Sequence, residues 1–132
     1  MATINRFEDL EIWKLSRSLS KEIFRLSQNG KLSKDYELKD QMNRSSGSIM
    51  DNIAEGFGRG SRLDFIQFLS IASATELKSQ LYRCVDRNYI SIVDFEKLSE
   101  NANAVYKKIN GFIKYLNTSI VKGTKFKDRL SK

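Results

Sequence analysis

The sequence predicts an all-α protein, an antiparallel up-down-up-down four-helix bundle. Proline, the strongest helix breaker, is absent from the 132 residues, and there are only seven glycines. Several short strands would need more turn-forming residues than these. Four amphipathic segments follow one another, each with apolar residues three and four positions apart. Because the connections between them are short, neighbouring helices are expected to run antiparallel.

The first predicted helix covers about residues 9–28 and ends at Asn29-Gly30, a helix-stop signal. Trp13 and Phe24 lie beside its main apolar stripe and widen the apolar face. The stripe itself consists of Ile12, Leu15, Leu19, Ile23 and Leu26.

The second predicted helix begins near Ser33, a candidate N-cap, and ends in the glycine-rich segment 56–60. Small residues at 45–48 would let a neighbouring helix approach closely, although Gly47 costs about 1 kcal/mol of helix propensity. The glycine-rich segment lacks the GK[ST] ending of a P-loop and follows a helix rather than a strand, so we interpret it as a helix stop. The stripe is Leu38, Met42, Ser45, Ile49, Ile53 and Gly56.

The third predicted helix is continuous from Ser61, its N-cap, to about Asn88. It carries two apolar rows, whereas a helix of a monomeric bundle needs only one. We expect the surplus, together with Trp13 and Phe24, to be exposed and to mark a self-association surface. The alternative is that a broad helix face buries both rows inside the bundle. The rows are Ile66, Leu69, Ser73, Leu77 and Leu81, and Phe65, Phe68 and Ala72.

The fourth predicted helix begins at Ser91 and ends near Asn117. Its apolar spacings alternate between three and four, a heptad-like pattern that favours packing at about 20°. The stripe is Phe95, Leu98, Ala102, Val105, Ile109, Phe112 and Leu116. The predicted organisation is therefore a bundle domain at 1–117 and a basic, flexible tail at 118–132.

Two absences restrict the chemistry. The sequence has no histidine, and Cys84 is its single cysteine, which excludes an internal disulfide, a Cys-cluster zinc site and a Cys-His nucleophile. We therefore expect no enzyme activity, no cofactor and no metal, and we interpret Cys84 as a small buried apolar residue. No apolar run reaches the length of a membrane span and no signal-peptide pattern is present, so we expect a cytoplasmic protein without a membrane partner.

The net charge of +7 suggests a polyanionic partner, RNA or DNA. The tail supplies +4 of it, and is interpreted either as an arm that contacts nucleic acid or as a solvated terminus. The basic residues of the body are either phosphate contacts or members of surface ion pairs with Glu55, Asp64 and Asp86. The predicted nucleic-acid-binding residues are Arg44, Arg59, Arg62, Arg83, Arg87, Lys107, Lys108, Lys122, Lys125 and Lys127.

Polar residues repeat at helical spacing along the second helix, beside its apolar stripe. A catalytic interpretation would pair Glu55 with Glu76 as acid and base, but no nucleophile, cofactor loop or metal set accompanies them. We favour a buried structural network between the second and third helices. Its predicted members are Gln41, Ser48, Asn52, Glu55, Glu76 and Gln80.

One set of residues, spread over about residues 4–117, is specific in combination. It consists of Phe7, Asp9, Leu10, Trp13, Gln41, Arg44, Ser48, Ile49, the run Asn52-Ile53-Ala54-Glu55-Gly56, Arg59, Phe65, Phe68, Leu69, Ala72, Glu76, Leu77, Gln80 and Leu81. In these residues the chain resembles a family of bacterial four-helix bundle proteins encoded by intervening sequences of 23S rRNA genes, sometimes labelled S23 ribosomal protein. One departure is Ser73-Ala74, where the family often has Gly-Ser.

The resemblance implies a ring-like homopentamer, and the family includes accessory proteins of diversity-generating retroelements that bind a reverse transcriptase and nucleic acid. Two hypotheses for function follow. The first is a non-catalytic nucleic-acid-binding or accessory protein. The second is a protein interaction module, for example a partner of a reverse transcriptase, with no direct role on nucleic acid.

Overall fold

The structure, a computed structural model, describes residues 4–118, and all regular structure within them is helical. The all-α prediction is therefore confirmed. The predicted tail, with Lys122, Lys125 and Lys127, lies outside the described residues. The α-helices of the described part are α1 (Glu11–Ser27), α2 (Tyr36–Gly58), α3 (Arg62–Ile71), α4 (Thr75–Asp86) and α5 (Ile92–Thr118), with 3-10 turns at Phe7–Asp9 and Lys31–Lys34.

The prediction of one continuous third helix is wrong, because the chain leaves helical geometry between α3 and α4. Ala72 has φ −71° and ψ 83°, outside the helical region. The hydroxyl of Ser73 accepts a hydrogen bond from the backbone N–H of Thr75 at 3.2 Å, a local bond that competes with helix continuation. Ala72 and Ala74 are both buried, so the break lies in the protein interior.

The other helix ends follow the predicted signals closely. Ser61 caps α3 by accepting from the N–H of Asp64 at 3.1 Å, and Ser91 accepts from Asp94 at 3.1 Å. Gly30 has φ +60°, as expected of the stop after α1. The cap of α2 differs: Asp35 accepts from the N–H of Leu38 at 3.2 Å, whereas Ser33 lies in the preceding 3-10 turn.

The predicted apolar stripes of all segments meet in one core, and both rows of the third segment contribute to it. Phe65, Leu69, Ala72 and Leu77 are buried. The expectation that these rows supply exposed surplus is therefore wrong for these four residues, since the chain itself covers them. Phe24 is exposed, as expected, and so are Leu63, Ile71, Ile92 and Val93.

Helices α2 and α3 are in close contact at Gly56. A Cβ atom added there would lie 2.6 Å from Cβ of Phe68 and 3.1 Å from a ring carbon of Phe65. The turn that follows includes Gly60 with φ +84°. The glycines of this segment therefore provide a close helix contact and a tight turn, as the interpretation of a helix stop requires.

Trp13, on α1, packs against the preceding 3-10 turn. Its ring meets that of Phe7 edge to face, with 5.1 Å between centroids. Within residues 4–118, none of the helices combines the length and the apolar character needed to cross a bilayer.

Candidate nucleic-acid interface

Three arginines predicted to contact nucleic acid instead connect parts of the fold. Arg62 donates to the carbonyl of Leu116 in the last turn of α5 at 2.8 Å, where a cation is also favoured by the helix dipole. Arg83 donates to Oε1 of Gln41 on α2, and Arg87 to Oδ2 of Asp35, both at 2.8 Å. In these contacts the guanidinium groups stabilise the packing of the helices.

The other predicted basic residues of the body are divided between ion pairs and open surface. Arg59 pairs with Glu55 at 3.0 Å, as the ion-pair alternative predicted, and lies 5.0 Å from the ring centroid of Phe68. Lys108 pairs with Glu11 on α1 at 2.9 Å. Arg44 and Lys107 are exposed. The predicted set therefore does not form one basic surface.

The predicted buried network is wrong for three of its members. Ser48 and Glu55 on α2 and Glu76 on α4 are exposed. The side-chain amide of Asn52 donates to the hydroxyl of Ser48, one turn back on α2, at 3.0 Å. Gln80 is buried, as predicted.

Two polar contacts do join α2 to α4. The hydroxyl of Ser45 donates to Oε1 of Gln80 at 2.6 Å within the core. Gln41 accepts from Arg83, nearer the start of α2. The sequence analysis placed Ser45 on the core stripe but did not assign it to the network.

A further cluster holds the start of α2 against the turn after α4. Oδ2 of Asp35 accepts from the hydroxyl of Tyr89 and from Arg87, each at 2.8 Å. The hydrogen bond from Tyr89, followed by that from the N–H of Leu38, keeps the pKa of Asp35 below its usual value. The same bond raises the pKa of Tyr89. This cluster therefore holds the start of α2 against the segment that follows α4 and has a structural role.

A basic face that the sequence analysis missed runs along α1. Lys14, Arg17, Lys21 and Arg25 follow one another at spacings of three, four and four, and all are exposed. They lie opposite the helix face that carries the buried residues. Glu22, which pairs with Arg25, is the one carboxylate between Lys14 and Ser27. The spacing of these four cations, at three and four residues, was the feature of the sequence that could have predicted the basic face.

The basic face borders an open groove between α1 and α2, with a volume of about 650 Å³. Phe24 lines it and is 57% exposed. A second depression of about 270 Å³, which adjoins it along α1, is lined by Lys14, Arg17, Ser18, Lys21, Glu22 and Arg25. The residues that line the groove are Arg17, Ser20, Lys21, Phe24, Arg25, Gln28, Asn29, Asn43 and Met50.

The side chains at the rim of the groove are held in place. Asn43 donates to the hydroxyl of Ser27 and to the carbonyl of Lys39, both at 3.1 Å. The guanidinium of Arg17 lies 5.6 Å from the ring centroid of Trp13. Arg44, one of the predicted nucleic-acid-binding residues, follows Asn43 on α2 and lines a neighbouring depression with it.

The groove combines exposed positive charge with an exposed aromatic ring. Cations spaced along a helix can contact successive phosphates, and an aromatic face can stack on a base. Among residues 4–118, His, Cys, Asp and Glu side chains form no group of three or more that could hold a metal ion. The arrangement suits binding of a polyanion.

A family model described as 23S rRNA-intervening sequence protein matches residues 8–111, from the first 3-10 turn into the second half of α5. No curated protein matches the chain.

Proposed function

Since the chain belongs to the family of 23S rRNA-intervening sequence proteins, we propose that it is a non-catalytic accessory protein that binds nucleic acid, with RNA as the natural ligand. The basic face of α1 is the observation that carries this proposal. Its four cations lie on one side of one helix, beside a groove, with a single carboxylate among them. An RNA-related role of the family favours RNA over DNA.

The salt dependence of binding tests this function. If Lys14, Arg17, Lys21 and Arg25 contact phosphates of a single strand, log K should fall against log salt with a slope of about −2 to −3. Fluorescence anisotropy of a labelled oligoribonucleotide between about 50 and 300 mM salt gives that slope. An affinity that hardly changes with salt would contradict phosphate contacts, and an absence of binding at low salt would contradict the function.

For the architecture, we propose that α1, α2, the pair α3 and α4, and α5 run up, down, up and down. Two contacts support this arrangement. Asn43, early in α2, bonds Ser27 at the end of α1, and Arg62, at the start of α3, bonds Leu116 at the end of α5. Contacts between the start of one helix and the end of another are those expected of antiparallel neighbours.

We also propose that copies of the chain assemble, as the homopentamer that the family resemblance implies. Exposed apolar side chains at separate places, on α3 and at the start of α5, support contacts between copies: Leu63 and Val93 are each 72% exposed, and Ile71 and Ile92 each 59%. A ring would multiply weak phosphate contacts through avidity. Light scattering at micromolar concentration tests it, and the mass of a single chain would contradict assembly.

We also propose a cytoplasmic location, which an RNA-related role supports.

The second candidate function is a protein interaction module, for example a partner of a reverse transcriptase. The same exposed apolar residues of α3 and α5 favour it, since they could be covered by a different protein. A pull-down in which a protein partner stays bound after nuclease treatment, and is lost in Leu63→Ser/Val93→Ser, would support this function over the first.

A further inference from the structure

Phe24 is an exposed aromatic residue among cations. It is 57% exposed, and it lines the α1–α2 groove together with Arg17, Lys21 and Arg25. Proteins that bind single-stranded nucleic acid combine these two features, since cations follow the backbone while aromatic rings stack on unpaired bases. We infer that this groove binds single-stranded RNA, with one unpaired base stacked on Phe24 and the flanking phosphates on Arg17, Lys21 and Arg25. The inference rests on the proposed function.

A duplex would not use this groove in the same way. In double-stranded RNA the base faces are covered by their neighbours, and the outer surface presents phosphates and 2′-hydroxyl groups. Such a surface could pair with the cations but would leave the ring of Phe24 without a stacking partner. An unpaired base covers both the ring and the adjoining apolar side chain of Met50, which lines the same groove.

The length of the basic face fits a short single strand. Lys14 and Arg25 are eleven residues apart on α1, which at about 1.5 Å per residue is about 16 Å. At about 3.4 Å per stacked nucleotide, this corresponds to about five nucleotides. Because Phe24 lies next to Arg25 on the helix, the stacked base would be near one end of the bound segment.

The full-length protein, a fluorescein-labelled 12-nucleotide oligouridylate and an RNA hairpin of equal charge provide the test. Anisotropy should show tighter binding to the oligouridylate than to the hairpin. Phe24→Leu keeps an apolar side chain but removes the ring, and should weaken oligouridylate binding about fivefold or more, with hairpin binding unchanged. Tyr106→Leu is the matched control, since Tyr106 is an exposed aromatic residue (44%) on α5, and it should change neither affinity.

The outcomes distinguish single-strand binding by the groove from the proposed function, nucleic-acid binding in general. Equal affinity for hairpin and oligouridylate, or a Phe24→Leu variant that binds like the wild type, would overturn the single-strand inference and leave nucleic-acid binding in place. No binding to either RNA would overturn both. Polyglutamate is tested as a competitor of the labelled oligouridylate. If it displaces the label as effectively as unlabelled oligouridylate does, the groove binds an acidic protein segment and the inference is overturned.

Discussion

The hydroxyl of Ser45 on α2 donates a 2.6 Å hydrogen bond to the side-chain oxygen of Gln80 on α4, inside the core. Beside it, the sulfur atoms of Met42 and Cys84 are 3.4 Å apart. The Ser45–Gln80 pair fixes α4, the helix that follows the break at Ser73, against α2. The Ser45–Gln80 bond lies within apolar surroundings and, with the bond from Arg83 to Gln41, holds α4 in register with α2.

The Ser45→Ala variant should lower the free energy of unfolding by about 1–3 kcal/mol, because it leaves the buried amide of Gln80 without its donor. Gln80→Leu should cost less, since the Ser45 hydroxyl also reaches the carbonyl of Met42 at 3.2 Å. Urea unfolding measures both. Glu55→Ala is the control: its ion pair with Arg59 is exposed, so its loss should cost less than about 0.5 kcal/mol. Equal decreases in the free energy of unfolding in Ser45→Ala and Glu55→Ala would contradict a larger contribution from the buried contact.

Two glycine-to-alanine changes in α2 should have opposite signs. Gly56→Ala places a Cβ 2.6 Å from Cβ of Phe68 and should destabilise by about 1–3 kcal/mol through overpacking. Gly47→Ala meets no atom within 4 Å and should stabilise by up to about 1 kcal/mol through helix propensity. Thermal melts of both variants, measured side by side, check this. A stabilising Gly56→Ala would mean that α2 and α3 are further apart than described.

Acid should weaken the tie around Asp35. The pKa of this carboxyl is lowered in the folded protein, chiefly by the hydrogen bond from Tyr89. Its stabilising effect is therefore present above the unfolded-state pKa of about 4 and is lost as the pH falls through the lower folded-state value. Urea midpoints between pH 7 and 2.5 should fall at the acid end in the wild type, and less steeply in Asp35→Asn. Parallel curves for the two proteins would show that Asp35 is not linked to folding.

Cys84 should be unreactive in the native protein. Burial raises the pKa of its thiol to about 11, and it is fully buried. At pH 8 little thiolate forms and none is accessible, so iodoacetamide should label the native chain far more slowly than the chain in urea. Since it is the single cysteine, the mass increase reports this site alone. Equal labelling rates with and without urea would contradict its burial.

The sequence predicted those features of the fold that depend on local pattern. Apolar spacing identified α1, α2 and α5, and α3 with α4 as a single segment, and Ser61 and Ser91 indicated the starts of α3 and α5. The break at Ser73 was missed because serine and alanine both occur within helices, and only the bond to Thr75 and the packing of Ala72 distinguish this site. The network prediction failed because polar residues beside the apolar stripe were expected to be buried with it. The stripe places Ser45 in the core correctly, but Ser48, three residues later, is exposed.

The candidate site was harder to predict, because the sequence around a charged residue does not show which distant residue it will contact in the folded chain. Arg87 pairs with Asp35, 52 residues away, and Arg62 reaches Leu116, 54 residues away. Only the tertiary structure removes these arginines from the list of available cations. The basic face of α1 was visible as a helical repeat of Lys and Arg, but the groove beside Phe24 exists only once α2 packs against α1.

The position of the RNA site is the central claim, and one comparison of salt slopes tests it. Arg17→Gln/Lys21→Gln and Lys107→Gln/Lys114→Gln each remove two exposed positive charges, from α1 and from α5, so their net charges match. Oligouridylate affinity is measured for both and for the wild type between about 50 and 300 mM salt. The account predicts weaker binding and a slope reduced by about 1.4 for the α1 variant, with little change for the α5 variant. An α1 variant that keeps the wild-type slope, or an α5 variant that loses as much, would contradict the claim that the basic face of α1 binds RNA.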